Sequence, residues 1–358
     1  MPFAVSARGK VGMATPVIEM SGVWKIFGAA EQRALADARA GASKAEILQR
    51  HKCVVGIADA SISVMPGEIF CIMGLSGSGK STLVRHVNRL IEPTAGKIRV
   101  LGQDVRALSP AALRQLRAER IGMVFQHMAL LPHRSVEDNV AYPLELRGTP
   151  KAVRWLVSAE KLALVGLQGY GDRLPKELSG GMQQRVGLAR ALAADPAILL
   201  MDEPFSALDP LIRRQLQDQF MALSHKLGKT TLFITHDLDE AIRLGSRIAI
   251  MKDGRIVQTG TPEEIVTRPA DDYVRAFVQN ISKLGLITAH TVMEPLAKVQ
   301  ALRAFDAATA PRATPAANLD VLIGLSAGTD QPVVIDDGGI LVGAVTKDRL
   351  LLAIREGR

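Results

Sequence analysis

The chain has few cysteines, few aromatic residues and no long apolar run, and each shortage excludes a class of protein. Its 358 residues include two cysteines, which are too few for a disulfide scaffold and fit a reducing compartment. No stretch reaches 18 consecutive apolar residues, so the sequence predicts no membrane-spanning helix. The first twenty residues lack the apolar segment of a signal peptide, and we therefore expect the chain to stay inside the cell.

Charge and composition further limit the binding partners and the domain organisation that the sequence allows. The net charge is +8, from 44 basic and 36 acidic residues, a surplus compatible with nucleic acid, anionic lipid or nucleotide phosphates. No run of five basic residues occurs, and aromatic residues make up only 4% of the chain, so direct nucleic-acid binding is not expected. The length of 358 residues predicts one large domain with a smaller one, or two domains, and the hydrophobic share of 47% excludes a disordered chain.

Short apolar runs alternate with segments of helical periodicity. The runs Ile69 to Met73, Ile198 to Met201 and Thr231 to Ile234 are typical of buried strands. Strand and helix alternation of this kind predicts an α/β fold with a largely parallel sheet. Residues 29–52 are rich in Ala, Glu and Arg, and we interpret them as a helical insertion between two strands.

One glycine-rich loop has the pattern of a phosphate-binding site. Residues 74–81, Gly-Leu-Ser-Gly-Ser-Gly-Lys-Ser, follow a predicted strand and precede a predicted helix. In such loops the backbone N–H groups bind phosphate oxygens, and the helix N-terminus adds positive charge. Lys80 would reach the β- and γ-phosphates, and the Ser81 hydroxyl would ligate Mg²⁺. The alternative, a Gly/Ser-rich turn that matches by chance, is disfavoured by the strand before it and the helix after it.

Two further motifs would complete a hydrolysis site. Asp202 and Glu203 end an apolar strand, where one carboxylate suits Mg²⁺ and the other can activate a water molecule. Ser179 and two glycines open another helix and form a second anion site. Two chains arranged head to tail would place the γ-phosphate between Lys80 of one chain and Ser179 of the other.

In this order and spacing, the motifs resemble those of the ATP-binding subunits of ABC transporters, over roughly residues 17–280. Residues 178–185, Leu-Ser-Gly-Gly-Met-Gln-Gln-Arg, are similar to that family's signature motif, except that Met182 replaces the commoner Gln. The resemblance implies a P-loop NTPase domain over 1–280, with a RecA-like core and a helical subdomain at about 127–195. It also implies ATP and Mg²⁺ as cofactors and a homodimer.

The resemblance implies a role for individual residues. It makes Glu203, His236, Lys80 and Gln126 catalytic, and places Ser81, Gln126 and Asp202 around Mg²⁺. The nucleotide-binding residues that it implies are Phe27, Gly74, Ser76, Gly77, Ser78, Gly79, Lys80, Ser81, Thr82, Gln126, Ser179, Gly180, Gly181, Gln183, Asp209 and His236. Phe27 is the expected adenine-stacking ring, Trp24 is its competitor, and either could simply belong to the core. The segment from His127 to Val140 is expected to face a membrane partner.

Short sequence segments narrow the resemblance to one subgroup of ABC transporters. Residues 88–94, 206–213 and 236–241 and the helical insertion are similar to the quaternary amine importers for glycine betaine, proline and choline. The implied function is ATP hydrolysis that powers import across the inner membrane, from its cytoplasmic face, with two membrane-spanning permease subunits and an extracytoplasmic substrate-binding protein. Two alternatives stay open: the ATPase of an amino-acid or polyamine importer, and a soluble ABC ATPase acting on nucleic acid or ribosomes.

The C-terminal part, residues 281–358, is predicted to be a small α+β domain that resembles a truncated or single CBS module. Residues 332–354 have the strand–strand–helix pattern of the end of such a module. The family's nucleotide-contacting pattern Thr-x-x-Asp is replaced here by Thr346-Lys347-Asp348. This departure favours packing or dimerisation over sensing of nucleotide or ionic strength.

Overall fold

The computed structural model describes residues 15–126, 129–206, 208–279, 281, 284–302 and 305–356. Some predictions fall partly outside these ranges: the expectation for the N-terminal residues up to 14, His127 at the start of the partner-facing segment, Ala207 in the segment 206–213, and the domain boundary at residue 280. The chain divides into two compact units, Met1–Ile256 and Val257–Arg358. This division lies before residue 280, where the sequence predicts the domain boundary.

Two sheets contain the strands between Ile18 and Gly260. The first sheet has the order β2-β1-β4-β5 and pairs its strands antiparallel. Its strands are β1 (Ile18–Phe27), β2 (Val54–Val64), β4 (Ala95–Val100) and β5 (Gln103–Asp104). The second sheet has the order β10-β9-β3-β8-β7-β6 and is parallel from β9 to β6. Its strands are β3 (Ile69–Met73), β6 (Ile121–Val124), β7 (Ile198–Asp202), β8 (Thr230–Thr235), β9 (Arg247–Lys252) and β10 (Arg255–Gly260).

The parallel sheet forms where the sequence has continuous apolar runs. Every residue of β3, β7 and β8 is buried, as expected for strands covered on both faces. The helices of this unit are α1 (Glu31–Arg39), α2 (Lys44–His51), α3 (Lys80–Val87), α4 (Pro110–Arg120), α5 (Val136–Leu146), α6 (Lys151–Leu164), α7 (Gly180–Ala193), α8 (Pro210–Leu227) and α9 (Leu238–Leu244), with a 3₁₀ turn at Pro175–Glu177. The predicted α/β class with a largely parallel sheet is confirmed.

One apolar core holds the two sheets together. It contains Ile18 and Met20 of β1, Phe70 and Ile72 of β3, and Leu83 of α3, all almost without solvent exposure. Because α3 begins at the end of the phosphate loop, its packing in this core fixes the loop between the sheets. The helix that follows the loop is therefore anchored in a buried core.

Two helices lie between β1 and β2, where the sequence predicts a helical insertion. A second apolar cluster packs α1 and α2 against the antiparallel sheet, through Leu35 and Ile47 on the helices and Trp24 and Val55 on the strands. Ser43 begins α2 with a reciprocal capping box to Glu46, which satisfies two backbone N–H groups at the helix start. The insertion is thus a packed part of the unit.

The second unit contains helices followed by a small sheet. Its helices are α10 (Pro262–Thr267), α11 (Asp272–Val278), α12 (Ala289–Val292), α13 (Leu296–Leu302), α14 (Leu319–Ala327) and α15 (Lys347–Glu356). Its sheet has the order β11-β12-β13, formed by β11 (Arg312–Ala313), β12 (Val333–Asp337) and β13 (Ile340–Val345). The Glu263 carboxylate accepts hydrogen bonds from the Thr288 backbone at 3.0 Å and from the Thr291 hydroxyl, so α10 packs with the C-terminal segment.

The predicted strand–strand–helix pattern of the C-terminal part is present as β12, β13 and α15. The likeness to a CBS module stays a prediction. Among the described helices, none combines the length and the hydrophobicity needed to cross a membrane.

Candidate nucleotide-binding and hydrolysis site

The phosphate loop connects β3 to α3, as its motif predicts. Gly79 has a φ of +104°, and a Cβ there would lie 2.6 Å from the Gly56 carbonyl oxygen. At Gly74 a Cβ would lie 2.2 Å from the Met251 carbonyl oxygen. Both positions therefore require glycine, because any side chain would force the loop away from the neighbouring strands.

Lys80 occupies the centre of the loop. Its Nζ donates hydrogen bonds to the carbonyl oxygens of Gly74 at 2.8 Å and Leu75 at 3.0 Å, and lies 3.8 Å from Glu203 Oε1. Burial lowers the pKa of the Lys80 ammonium, and the carboxylates of Glu203 and Asp202 act against that shift. An ammonium group held in this way is ready to transfer its hydrogen bonds to phosphate oxygens.

Ser81 and Asp202 form the predicted metal-binding pair. The Ser81 hydroxyl donates to Asp202 Oδ1 at 2.7 Å, and Arg85 contacts the other oxygen, Oδ2, at 3.2 Å. Within the described ranges, no three His, Cys, Asp or Glu side chains converge as a metal site by themselves. Hydroxyl and carboxylate oxygens nevertheless fit Mg²⁺, which in nucleotide sites binds one or two carboxylates and keeps phosphate oxygens and water as further ligands.

Glu203 is the point at which the predicted catalytic residues meet. Its Oε2 accepts a hydrogen bond from Gln126 Nε2 at 3.3 Å and lies 3.0 Å from His236 Nδ1. The backbone of Glu203 has a φ of +46°, an unusual conformation for a residue with a side chain. Ser206 holds it there, because its backbone N–H and hydroxyl donate to the Glu203 carbonyl at 3.3 and 3.0 Å. Such strain is typical of functional positions.

A single cavity of about 730 Å³ joins most of these side chains. Of the residues predicted from the sequence, its walls include Ser76, Gly77, Gly79, Lys80, Ser81, Thr82, Gln126, Glu203 and His236. Asp202 lies beneath the cavity and reaches it through Ser81. The loop residues Gly74 and Ser78 are not wall residues; Ser78 is buried, and a Cβ at Gly74 would lie 2.8 Å from its hydroxyl oxygen.

The signature motif lies at a different cavity. Ser179 caps α7, since its hydroxyl accepts a hydrogen bond from the Met182 backbone N–H at 3.3 Å. Ser179, Gly180, Gly181 and Asp209 line a cavity of about 410 Å³ that shares no wall residue with the first. The Gln183 amide donates to the Leu178 carbonyl at 3.1 Å. One chain therefore holds two separate groups of the predicted nucleotide-binding residues.

The two aromatic candidates for adenine stacking differ in exposure. Trp24 is only 5% exposed and belongs to the core beneath the insertion. Phe27 is 41% exposed at the end of β1, and its ring lies close to Gly56, where a Cβ would be 2.7 Å from Cε2. Phe27 is not a wall residue of the larger cavity, so its stacking role stays a prediction.

Sequence reasoning did not identify two contributions to the site. Arg85 neutralises Asp202, and α2 forms one wall of the larger cavity through Lys44, Ala45 and Leu48. The role of Arg85 could have been predicted, because it lies one turn after Ser81 on a predicted helix and so shares a face with it. Nothing local to α2 indicated the second.

This fold and these contacts define a P-loop ATP-binding cassette. The ABC transporter family model matches residues 57–206. The dimeric ATP-binding cassette MJ0796, solved in a post-hydrolysis state with ADP and Pi, superimposes with a TM-score of 0.59 at 29% identity, covering 68% of this chain and 98% of that one. The Lys80, Asp202 and Glu203 cluster is therefore set in the fold of a known nucleotide-binding protein.

Transport ATP-binding proteins are similar over most of the chain. GbuA of Listeria monocytogenes, a glycine betaine/carnitine transport protein, is 53% identical over 276 residues, 77% of this chain and 70% of that protein. ProV of Salmonella typhimurium, from a glycine betaine/proline betaine system, is 45% identical over 343 residues, 95% and 83% of the two chains. TmoW of Ruegeria pomeroyi, from a trimethylamine N-oxide system, is 52% identical over 277 residues, which cover 77% of this chain and 81% of that protein. The chain belongs to the ABC transporter family of ATP-binding proteins, and it is an ATP hydrolase.

Proposed function

We propose that this chain powers the import of a quaternary amine, with glycine betaine as the first candidate and choline, carnitine and proline betaine as close alternatives. The observation that supports an ATPase motor is the meeting of Lys80, Gln126 and His236 at the Glu203 carboxylate. The substrate class rests on the relatives, whose names include glycine betaine, proline betaine, carnitine and choline transport. The amino-acid importer, the polyamine importer and the soluble ATPase remain the alternatives that the experiment below distinguishes.

Each residue of this cluster has its own role in ATP hydrolysis. Glu203 accepts a proton from a water molecule while the water oxygen attacks the γ-phosphorus. The bond between the γ-phosphorus and the bridging oxygen breaks, and ADP leaves with that oxygen. Lys80 neutralises charge on the phosphates, while Gln126 orients the water and His236 donates a hydrogen bond to the γ-phosphate. Mg²⁺, held by Ser81, Asp202 and Gln126, would supply further charge neutralisation when it is bound.

The separation of the two cavities supports a homodimer. Ser179 at the start of α7 presents helix N–H groups, which favour an anion, yet it lines a cavity apart from Lys80. In a head-to-tail pair, the signature residues of one protomer would close over the phosphates held by the other. The similar cassette structures are themselves dimers.

We further propose that this dimer works at the cytoplasmic face of the inner membrane. Two permease subunits would contact the region after Gln126, and an extracytoplasmic binding protein would deliver the amine. ATP-driven closing of the dimer would then move the permeases, and hydrolysis would reset them.

The test is ATP turnover by the tagged chain isolated from its native membranes in mild detergent, with the proteins that accompany it. Glycine betaine, choline and proline are each added with the cognate binding protein. We expect turnover to rise with one of the amines. Vigorous turnover without membrane partners, and with no response to any amine, would favour the soluble ATPase instead. A Lys80→Ala variant, which removes the phosphate-binding ammonium, controls for contaminating ATPases.

A further inference from the structure

The second unit has a cavity of its own, about 860 Å³ in volume, and four arginines line it. Arg268 directly follows α10, Arg275 lies on α11, and Arg349 and Arg355 lie on α15. The first two are far from the last two in sequence, so the fold of the unit brings them to one cavity. The other residues in the described wall carry no charge: Val266, Thr267, Pro269, Val278, Gln279 and Thr291.

This concentration of positive charge does not follow from the composition of the unit. Residues 257–358 contain twelve acidic and ten basic side chains, so the unit as a whole is slightly acidic. Four of those ten basic residues nevertheless line one cavity, whose described wall contains no carboxylate. Like charges gathered in this way repel one another and destabilise the fold unless an anion binds between them.

Carboxylates of the chain neutralise this charge only in part. Arg275 contacts Asp272 on the same helix, but the Asp272 side chain is 94% exposed, so water screens the pair. Among the described residues, neither Arg268 nor Arg349 forms an ion pair with a carboxylate. The Arg349 Nε donates a hydrogen bond to the Val292 carbonyl oxygen at 3.2 Å, which orients its guanidinium. Planar guanidinium groups with unneutralised charge are suited to bind phosphate oxygens, often through two parallel hydrogen bonds.

We propose that this cavity is a second anion site, which binds a phosphate-bearing ligand with two or more negative charges. We call it the arginine site, defined by Arg268, Arg275, Arg349 and Arg355. Clusters of arginine are a recurrent way to recognise phosphate groups, and four of them favour neighbouring phosphates over a single one. The arginine site shares no wall residue with the cavity of the phosphate loop, so the proposal does not depend on ATP hydrolysis or on the transported substrate.

The test uses the full-length chain with Lys80→Ala, which removes the ammonium of the phosphate loop, in buffer without Mg²⁺. Titration calorimetry measures the binding of inorganic pyrophosphate and, separately, of inorganic phosphate. We expect pyrophosphate to bind more tightly than phosphate, with an affinity that falls as salt is added, because salt screens ionic contacts. Adding Arg268→Gln should weaken pyrophosphate binding about tenfold, and adding Arg275→Gln as well should weaken it about a hundredfold, since each removes a charge-assisted contact. Both arginines are exposed, so thermal unfolding should not change. Lys298→Gln is the matched control, because it removes a 60% exposed cation outside the wall.

Sedimentation with vesicles separates a free ligand from a lipid headgroup. The same chains are sedimented with vesicles of phosphatidylcholine alone and with vesicles that also contain phosphatidylglycerol. Pyrophosphate binding without vesicle binding identifies a free anion, and binding only to the anionic vesicles, lost with Arg268→Gln and Arg275→Gln, identifies a lipid surface. The proposal is wrong if the parent chain binds neither probe, or if the two arginine substitutions leave binding unchanged. An equal loss with Lys298→Gln would also overturn it, because the net charge of the chain would then account for the effect.

Discussion

Replacing Glu203 by Gln tests the centre of the site, because three functional side chains converge on this carboxylate. The amide keeps the size and much of the hydrogen bonding toward Gln126 and His236, which contact Glu203 at 3.3 and 3.0 Å. It removes the negative charge and the ability to accept a proton from water. General-base catalysis contributes about 10²–10⁴ in rate, so we expect ATP turnover to fall by about a thousandfold, or about 4 kcal/mol in the barrier.

The same substitution should strengthen ATP binding. Glu203 lies 3.8 Å from the Lys80 ammonium and is only 14% exposed, so it competes with phosphate for that cation. Two unit charges about 4 Å apart interact by about 4 kcal/mol at an effective dielectric constant of about 20, and solvent offsets most of this. We therefore expect a gain of about tenfold in ATP affinity, which corresponds to about 1.4 kcal/mol.

Both effects can be measured on the full-length chain. Phosphate release gives turnover, a fluorescent ATP analogue gives affinity, and size-exclusion chromatography with ATP reports whether the variant stays dimeric. Glu160→Gln is the matched control, since Glu160 is a 68% exposed carboxylate on α6, remote in sequence from every predicted motif residue. Turnover in Glu203→Gln close to that of the unaltered chain would refute the role given to Glu203.

Three further predictions follow from the described contacts. Ser179→Arg should leave nucleotide binding by the isolated chain intact and abolish turnover, because it fills the α7 anion site; equal turnover in variant and unaltered chain would contradict the shared site. Asp202→Asn should raise the Mg²⁺ concentration needed for half-maximal turnover by about tenfold or more, and a Mg²⁺ titration that coincides with that of the unaltered chain would exclude Asp202 from the metal site. Burial lowers the pKa of His86 from its ordinary 6.5 to about 4. As the pH falls, this histidine is therefore protonated in the unfolded chain at a higher pH than in the folded chain. Stability should then decline by about 3 kcal/mol as pH falls from 6.5 to 4, and His86→Leu, compared by denaturant unfolding at both pH values, should show a smaller decline.

The chemistry that depends on contiguous residues could be predicted from the sequence. The phosphate loop follows from residues 74–81, because a strand, a glycine-rich turn and a helix start position the backbone and Lys80 together. The pairing of Ser81 with Asp202 could also be expected, because β3 and β7 are both buried strands whose carboxyl ends meet at one edge of the sheet.

Contacts that depend on tertiary placement could not be predicted in the same way. Arg85 reaches Asp202 across 117 residues of chain, and α2 reaches the cavity because its buried side packs on the antiparallel sheet. The orientation of Phe27 depends on the irregular register between β1 and β2, which has shifts near that end of the strand. No pattern in a single sequence specifies such a shift.

The contacts of Asp202 also bear on how the protein behaves when magnesium is not bound. A buried carboxylate that is paired with a guanidinium and accepts a hydrogen bond from a hydroxyl costs less to bury without magnesium than an unpaired carboxylate would. We therefore expect a low magnesium supply to slow ATP hydrolysis before it destabilises the fold around Asp202.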